Sequence, residues 1–185
     1  FVYDQIVSLG ELVSTTILSE YLNINQVENE WLDARDLIKT DITYREAVVD
    51  WKQTEEAMSK HVKSDVFYIT QGFISSDSNR FTVTLGREGS DYSAAIFAYC
   101  LGAESVTIWK DVPGVLNADP RYFEETILLQ QISYKEAIEM AFYGASVIHP
   151  KTLQPLQEKV IPLYVKSFLH PLLPGTSVSK GLELV

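Results

Sequence analysis

The stretch Thr84-Leu85-Gly86-Arg87-Glu88-Gly89-Ser90-Asp91 combines residue types that can hold an anion. Two glycines around a charged pair describe a sharp bend that leaves backbone amides uncovered. Ser90 or Asp91 is expected to cap a helix over the apolar run 92–101, because either side chain can accept from an N–H two or three residues on. The start of such a helix presents free N–H groups and the positive end of its dipole, which suits phosphate or carboxylate. Arg87 adds a rigid cationic fork that meets a carboxylate at two points. On these residues alone, an ordinary capped loop is the other reading.

Three further places could contribute chemistry. Glu11 sits between small Gly10 and Ser14 in an otherwise apolar helix. A carboxylate buried there needs a cation or donors, or its pKa shifts; the alternative is a rim residue facing water. Trp109-Lys110-Asp111-Val112-Pro113-Gly114-Val115 leaves a strand, and Asn117-Ala118-Asp119-Pro120-Arg121 forms a turn in which Pro120 forces Asp119 to be extended. Gly144-Ala145-Ser146-Val147-Ile148-His149-Pro150 is a tight passage into another helix. No metal constellation is visible, since His61, His149 and His170 are far apart and neither H-x-x-x-H nor C-x-x-C occurs. The sequence also lacks G-x-x-x-x-G-K-[ST] and G-x-S-x-G, which excludes a P-loop and disfavours an α/β-hydrolase.

The elements that must position these residues belong to a globular chain. Its 185 residues suffice for one domain with a core, or two lobes of a larger one. Hydrophobic residues make up 46% and charged residues 22%, outside the range of disordered chains. No apolar run approaches the ~20 residues of a spanning helix, so no membrane is expected. The formal net charge of -10 argues against a nucleic-acid partner, which requires a basic face. A single cysteine, Cys100, lies among apolar residues as a core thiol and fits a reducing, cytoplasmic compartment. No export signal is visible at the start, and the opening Phe1 points to a fragment of a longer chain.

Asp4 is expected to cap a helix to about Leu22, with Ile6, Val7, Leu9, Leu12, Val13, Ile17 and Leu18 covering most of its circumference, as in a buried helix. A strand is expected over 27–33, then a capping box of Thr43 and Glu46 before a helix carrying Ala47, Val48, Trp51, Met58 and Val62. The run 65–74 reads as one strand buried on both faces. Strands follow over 105–109 and 162–168, with a Ser133/Glu136 capping box between them opening a helix that ends at Gly144. This alternation predicts an α/β fold with a mostly parallel sheet between helix layers, whose ligands sit at the carboxyl ends of strands.

Four ordered motifs together resemble the aspartokinases of the amino-acid kinase fold. They are Ile69-Thr70-Gln71-Gly72-Phe73, the Gly86–Asp91 stretch with Tyr92, the Lys110–Arg121 region, and Gly144–Pro150; Gly10-Glu11-Leu12 extends the likeness to nearly the whole length. The resemblance implies a three-layer αβα sandwich, truncated at its N-terminus, with residues 1–74 in the amino-acid lobe and 75–185 in the nucleotide lobe. It implies phosphoryl transfer from ATP to the side-chain carboxylate of L-aspartate, giving 4-phospho-L-aspartate, the first step toward lysine, threonine and methionine. Arg87 would grip the substrate α-carboxylate, Glu11 its ammonium, and Ser90 would close the pocket. Asp91 would orient a catalytic lysine. Lys110, Asp111, Leu116, Asp119, Arg121 and Ser146 would serve the nucleotide, whose Mg2+ would be held mainly by phosphates and water rather than by a protein cage.

This sequence departs from the family pattern at several places. Glu88 replaces the second glycine of the usual G-R-G-G-S-D and is expected to face solvent. Leu116 stands where many members have Tyr, Pro113 where Asp is common, and Ser146 where many have Lys. The family's opening Lys-Phe-Gly-Gly strand and its regulatory ACT modules are not among the 185 residues, so the chain alone is expected to have little activity and to self-associate through an exposed sheet edge. Another amino-acid kinase (for glutamate, acetylglutamate or a nucleotide) and a non-catalytic nucleotide-binding paralogue are the alternatives. Arg87 together with Glu11 favours a zwitterionic amino acid over the first of these.

Overall fold

The computed structural model describes residues 1–143 and 147–181. They form two compact units, Phe1–Leu101 and Gly102–Val185. The division falls later than the expected lobe boundary at 74/75, because the elements after residue 74 pack against those before it in the first unit.

Helix α1 (Val2–Ile24) opens the first unit without a side-chain cap at Phe1. Asp4 is therefore not the cap expected from the sequence. It lies within the first turn, fully buried, where its Oδ2 accepts from the backbone N–H groups of Arg45 (3.0 Å) and Thr84 (2.8 Å) and from Thr84 Oγ1 (3.0 Å). The expected buried apolar face is also reversed: Ile6, Val13 and Ile17 are 63%, 57% and 63% exposed, while Asp4, Ser8 and Ser19 are buried. Polar residues at 4, 8, 15 and 19 share one helical stripe. That stripe finds partners inside the unit. Thr15 Oγ1 accepts from Trp31 Nε1 (3.1 Å) and Gln71 Nε2 (2.8 Å), and Ser19 Oγ donates to Asn29 Oδ1 (2.6 Å).

Strand β1 (Glu30–Leu32) is shorter than expected and runs parallel to β2 (Tyr68–Thr70), with Trp31 opposite Ile69. Between them lie α2 (Ala34–Leu37), capped by Asp33, and α3 (Trp51–His61), capped by Asp50. The Thr43/Glu46 capping box does not form. Thr43 N–H instead donates to Asp41 Oδ1, and Arg45 takes a left-handed φ of 70°, so a helix starts only after Asp50.

The expected single strand over 65–74 is broken at Gln71-Gly72-Phe73, where Phe73 has φ 70°. Beyond the break, β3 (Ile74–Ser76) forms an antiparallel hairpin with β4 (Thr82–Thr84). Gln71 is buried at the break and joins three segments: its Oε1 accepts from Ala34 N–H (2.8 Å), and its Nε2 donates to Leu32 O (3.2 Å) and Thr15 Oγ1. Helix α4 (Gly89–Leu101) starts before Ser90, which places Ser90 and Asp91 in its first turn rather than at its cap. Leu37, Ile38, Met58, Val83, Leu85 and Ile96 form the core, with half-buried Cys100 packed against it. Each such side chain contributes about 1.5–3 kcal/mol by leaving water.

The second unit is built on one four-stranded sheet, β5 (Val106–Lys110), β7 (Leu163–Ser167), β8 (Thr176–Ser179) and β6 (Gln131–Ser133) in spatial order. β5 and β7 are parallel, as are β6 and β8, but β7 and β8 are antiparallel, so the sheet is mixed. The short β6 and β8 carry too few apolar residues to stand out in sequence. Helix α5 (Tyr134–Phe142) has the expected Ser133/Glu136 capping box but ends before the Gly144 predicted, and α6 (Pro150–Lys159) has Pro150 in its first turn and His149 as its cap. The molecule is thus α/β, with parallel and mixed sheets.

Candidate functional sites

In the first unit, the turn between β4 and α4 carries Arg87. Gly86 takes φ 83°, and a Cβ there would lie 2.9 Å from Arg45 O, so the segments around 45 and 86 touch backbone to backbone. Glu88 takes φ 52°, the left-handed conformation that suits the glycine usual at this place. It does not simply face solvent as expected: its Oε2 is enclosed and has no hydrogen-bond partner. Gly72 lies against the start of α4, where a Cβ would meet Ser90 Cα at 2.9 Å. Phe73 N–H donates to Ser93 Oγ (2.8 Å), and Leu85 N–H to Phe73 O (2.9 Å), which fixes the break in the strand to this helix start.

Beside these contacts lies an open cavity of about 450 Å³ lined by Tyr3, Arg45, Phe73, Thr84, Gly86 and Arg87. Of the residues expected at a substrate site, Arg87 lines it. Ser90 and Asp91 lie in the adjoining first turn of α4, and Glu11 is half-buried further along α1; none of the three belongs to this lining. Tyr3 and Arg45 were not foreseen. No motif marks them, and Arg45 occupies a segment that read as a helix start.

In the second unit, a larger cavity of about 730 Å³ gathers residues from the exit of β5, the following turn and the end of α5. Asp111, Leu116, Asp119 and Arg121, all expected at the nucleotide, line it together with Met140 and Tyr143. Lys110 ends β5, where its carbonyl accepts from Phe168 N–H (3.0 Å), and is outside the lining. Ser146 lies outside the described residues. The loop wall is fixed by Thr176, whose hydroxyl accepts from Val115 N–H (2.8 Å) and donates to Leu129 O (2.6 Å). Tyr143 supplies an aromatic ring in the cavity that carries Leu116.

Arg121 and Asp119 form a two-point pair, with Nη2 to Oδ2 at 2.7 Å and Nε to Oδ1 at 3.1 Å, while Arg121 N–H donates to the same carboxylate at 2.8 Å. The guanidinium bond, then the backbone bond, hold the Asp119 carboxyl below its ordinary value. The same bond raises Arg121 above its own. Both groups are too exposed for this pairing to contribute much to stability. Among the described residues, no group of three or more His, Cys, Asp and Glu side chains converges on a point that could hold a metal ion, and no helix is long and apolar enough to cross a membrane.

The α/β fold thus carries an arginine at a glycine-bounded helix start in one unit, and a cleft lined by acidic and cationic side chains in the other. Residues 1–167 match the amino acid kinase family, and the chain belongs to it. Within that family it is 39% identical over 183 residues to the lysine-sensitive aspartokinase 3 of Escherichia coli K12, covering 97% of this chain and 41% of that one. It is 38% identical to the chloroplastic bifunctional aspartokinase/homoserine dehydrogenase 2 of Arabidopsis thaliana, covering 97% of this chain and 20% of that one. The crystal structure of E. coli aspartokinase III in complex with aspartate and ADP matches with a TM-score of 0.93 at 39% identity, over 98% of this chain and 41% of that one. A UMP kinase from Ureaplasma parvum, at 19% identity and a TM-score of 0.63, shares the fold. The chain thus spans about two fifths of the length of the E. coli relative.

Proposed function

We propose that this chain is part of an aspartate kinase, a cytoplasmic enzyme that transfers the γ-phosphoryl group of ATP to the side-chain carboxylate of L-aspartate. In this reaction a carboxylate oxygen attacks the γ-phosphorus, the bond from phosphorus to the bridging oxygen breaks, and ADP leaves. The observation that carries the reading is the convergence of Asp111, Leu116, Asp119 and Arg121 on one cavity. The likeness to a structure holding aspartate and ADP supports it. Asp111 and Asp119 are the carboxylates nearest to hand for a magnesium ion. Asp119 is tied to Arg121, a donor set that fits a metal held mainly by nucleotide phosphates. When bound, that ion would offset phosphate charge.

The first unit serves the amino acid and the second the nucleotide. Arg87 binds the α-carboxylate, Glu11 the ammonium, and Ser90 the edge of the pocket, while Asp91 orients the lysine that bridges the transferring phosphoryl group in this family. Arg121 counters charge as the phosphoryl group leaves. Glu11 favours a free amino acid over an acylated one, since an acylated substrate has no ammonium to meet. The functional molecule is a homo-oligomer. Calorimetric titration tests the assignment. Arg121→Ala is expected to weaken Mg–ATP binding at least tenfold and leave aspartate unaffected, whereas Arg87→Ala does the reverse. Equal loss of both ligands in either variant would refute it.

A further inference from the structure

We propose that Arg45 is a second ligand-binding residue of the first-unit cavity, which therefore takes a small ligand with two carboxylates, one meeting Arg87 and the other Arg45. This rests on the aspartate reading above and adds a specificity residue to it.

Arg45 and Arg87 both line one cavity. Among the described residues, neither forms an ion pair with a carboxylate. Arg35, Arg80, Arg121 and Lys135 each meet a carboxylate of the protein, whereas Arg45 and Arg87 share a cavity wall and can meet one brought by a ligand.

The placement of Arg45 is also imposed rather than incidental. A non-glycine residue at φ 70° is held there only by its surroundings. Here the buried Asp4 carboxylate accepts from Arg45 N–H, and Arg45 O lies against Gly86, the residue before Arg87. The Arg45 guanidinium lies 4.8 Å from the centre of the Tyr3 ring, so the side chain rests on α1 at the cavity wall. Asp4 Oδ2 also takes Thr84 N–H and Thr84 Oγ1, another part of the lining. One buried carboxylate thus positions both the second arginine and the strand that leads to the first. Two arginines lining one space supply the pair of planar forks that reads a dicarboxylate at both ends.

The test titrates the 185-residue chain with L-aspartate, succinate and L-alanine. The unaltered chain is expected to bind both diacids. Arg45→Gly, which suits the positive φ, is expected to weaken both about tenfold, leave the one-carboxylate alanine unchanged, and not lower the thermal midpoint. Arg45→Lys, which keeps the stem and charge but not the fork, should fall between them and stands in if the glycine variant does not fold. Aspartate binding that is indifferent to Arg45 overturns the proposal and leaves the aspartate reading standing. Succinate bound through Arg45 while aspartate is refused does the opposite. A chain that binds neither acid refutes both.

Discussion

Glu88 occupies a backbone conformation that costs a non-glycine residue about 1–2 kcal/mol, and one of its carboxylate oxygens is enclosed without a donor. Glu88→Gly removes both penalties, although the added freedom of the unfolded chain returns part of the gain. A net stabilisation of about 1 kcal/mol is expected, seen as a thermal midpoint raised by a few degrees in scanning calorimetry. A lowered midpoint would mean that Glu88 makes a compensating contact in solution. At this scale the sequence was most informative where chemistry needs a recognisable neighbourhood. Arg87 between glycines, and Asp119 before Pro120, stand out for that reason. Arg45 does not, because its left-handed conformation is enforced by Asp4, distant in sequence, and leaves no local signature.

Among the secondary-structure elements, α1 shows how periodicity can be right while its meaning is reversed. Its apolar residues do follow helical spacing, but the narrower polar stripe is the one that meets the rest of the unit. Only the partners Asn29, Trp31 and Gln71, far along the chain, decide which stripe turns inward. The 65–74 run misled in a related way. Its hydrophobicity is continuous, yet the chain must break at Gln71 so that its side chain can complete the hydrogen bonding of Ala34 N–H and Leu32 O. Replacing Gln71 by Ala leaves both groups unpaired in the interior. A destabilisation of about 2–4 kcal/mol is expected from urea unfolding, larger than for a surface amide. A loss below ~0.5 kcal/mol would show that water substitutes for the side chain there.

Taken as a whole, the α/β class was legible from the alternation of elements, whereas the division at Leu101 was not. Which helices pack with which strands depends on contacts between distant residues, and a single sequence does not display them. The molecule also sets two forces against each other. Ile6, Leu9, Val13, Ile17 and Tyr21 expose an apolar stripe along α1, which favours association, and a net charge of -10 opposes it. Raising the salt from about 0.05 to 0.5 M screens that repulsion, so sedimentation velocity is expected to show larger species at high salt. The double variant Val13→Glu, Ile17→Glu should sediment as a monomer under both conditions. Association that weakens with salt would point to charged contacts instead of the stripe.

The pairing of Arg121 with Asp119 bears on how an anion enters the second cavity. The guanidinium already holds an internal anion, so on the proposed nucleotide reading a phosphate would arrive by exchange rather than by filling an idle fork. Its attraction is measured against a tethered competitor that never diffuses away. Weakly charged anions would be turned aside by that competition, whereas a polyphosphate, with charge to spare, would displace the carboxylate.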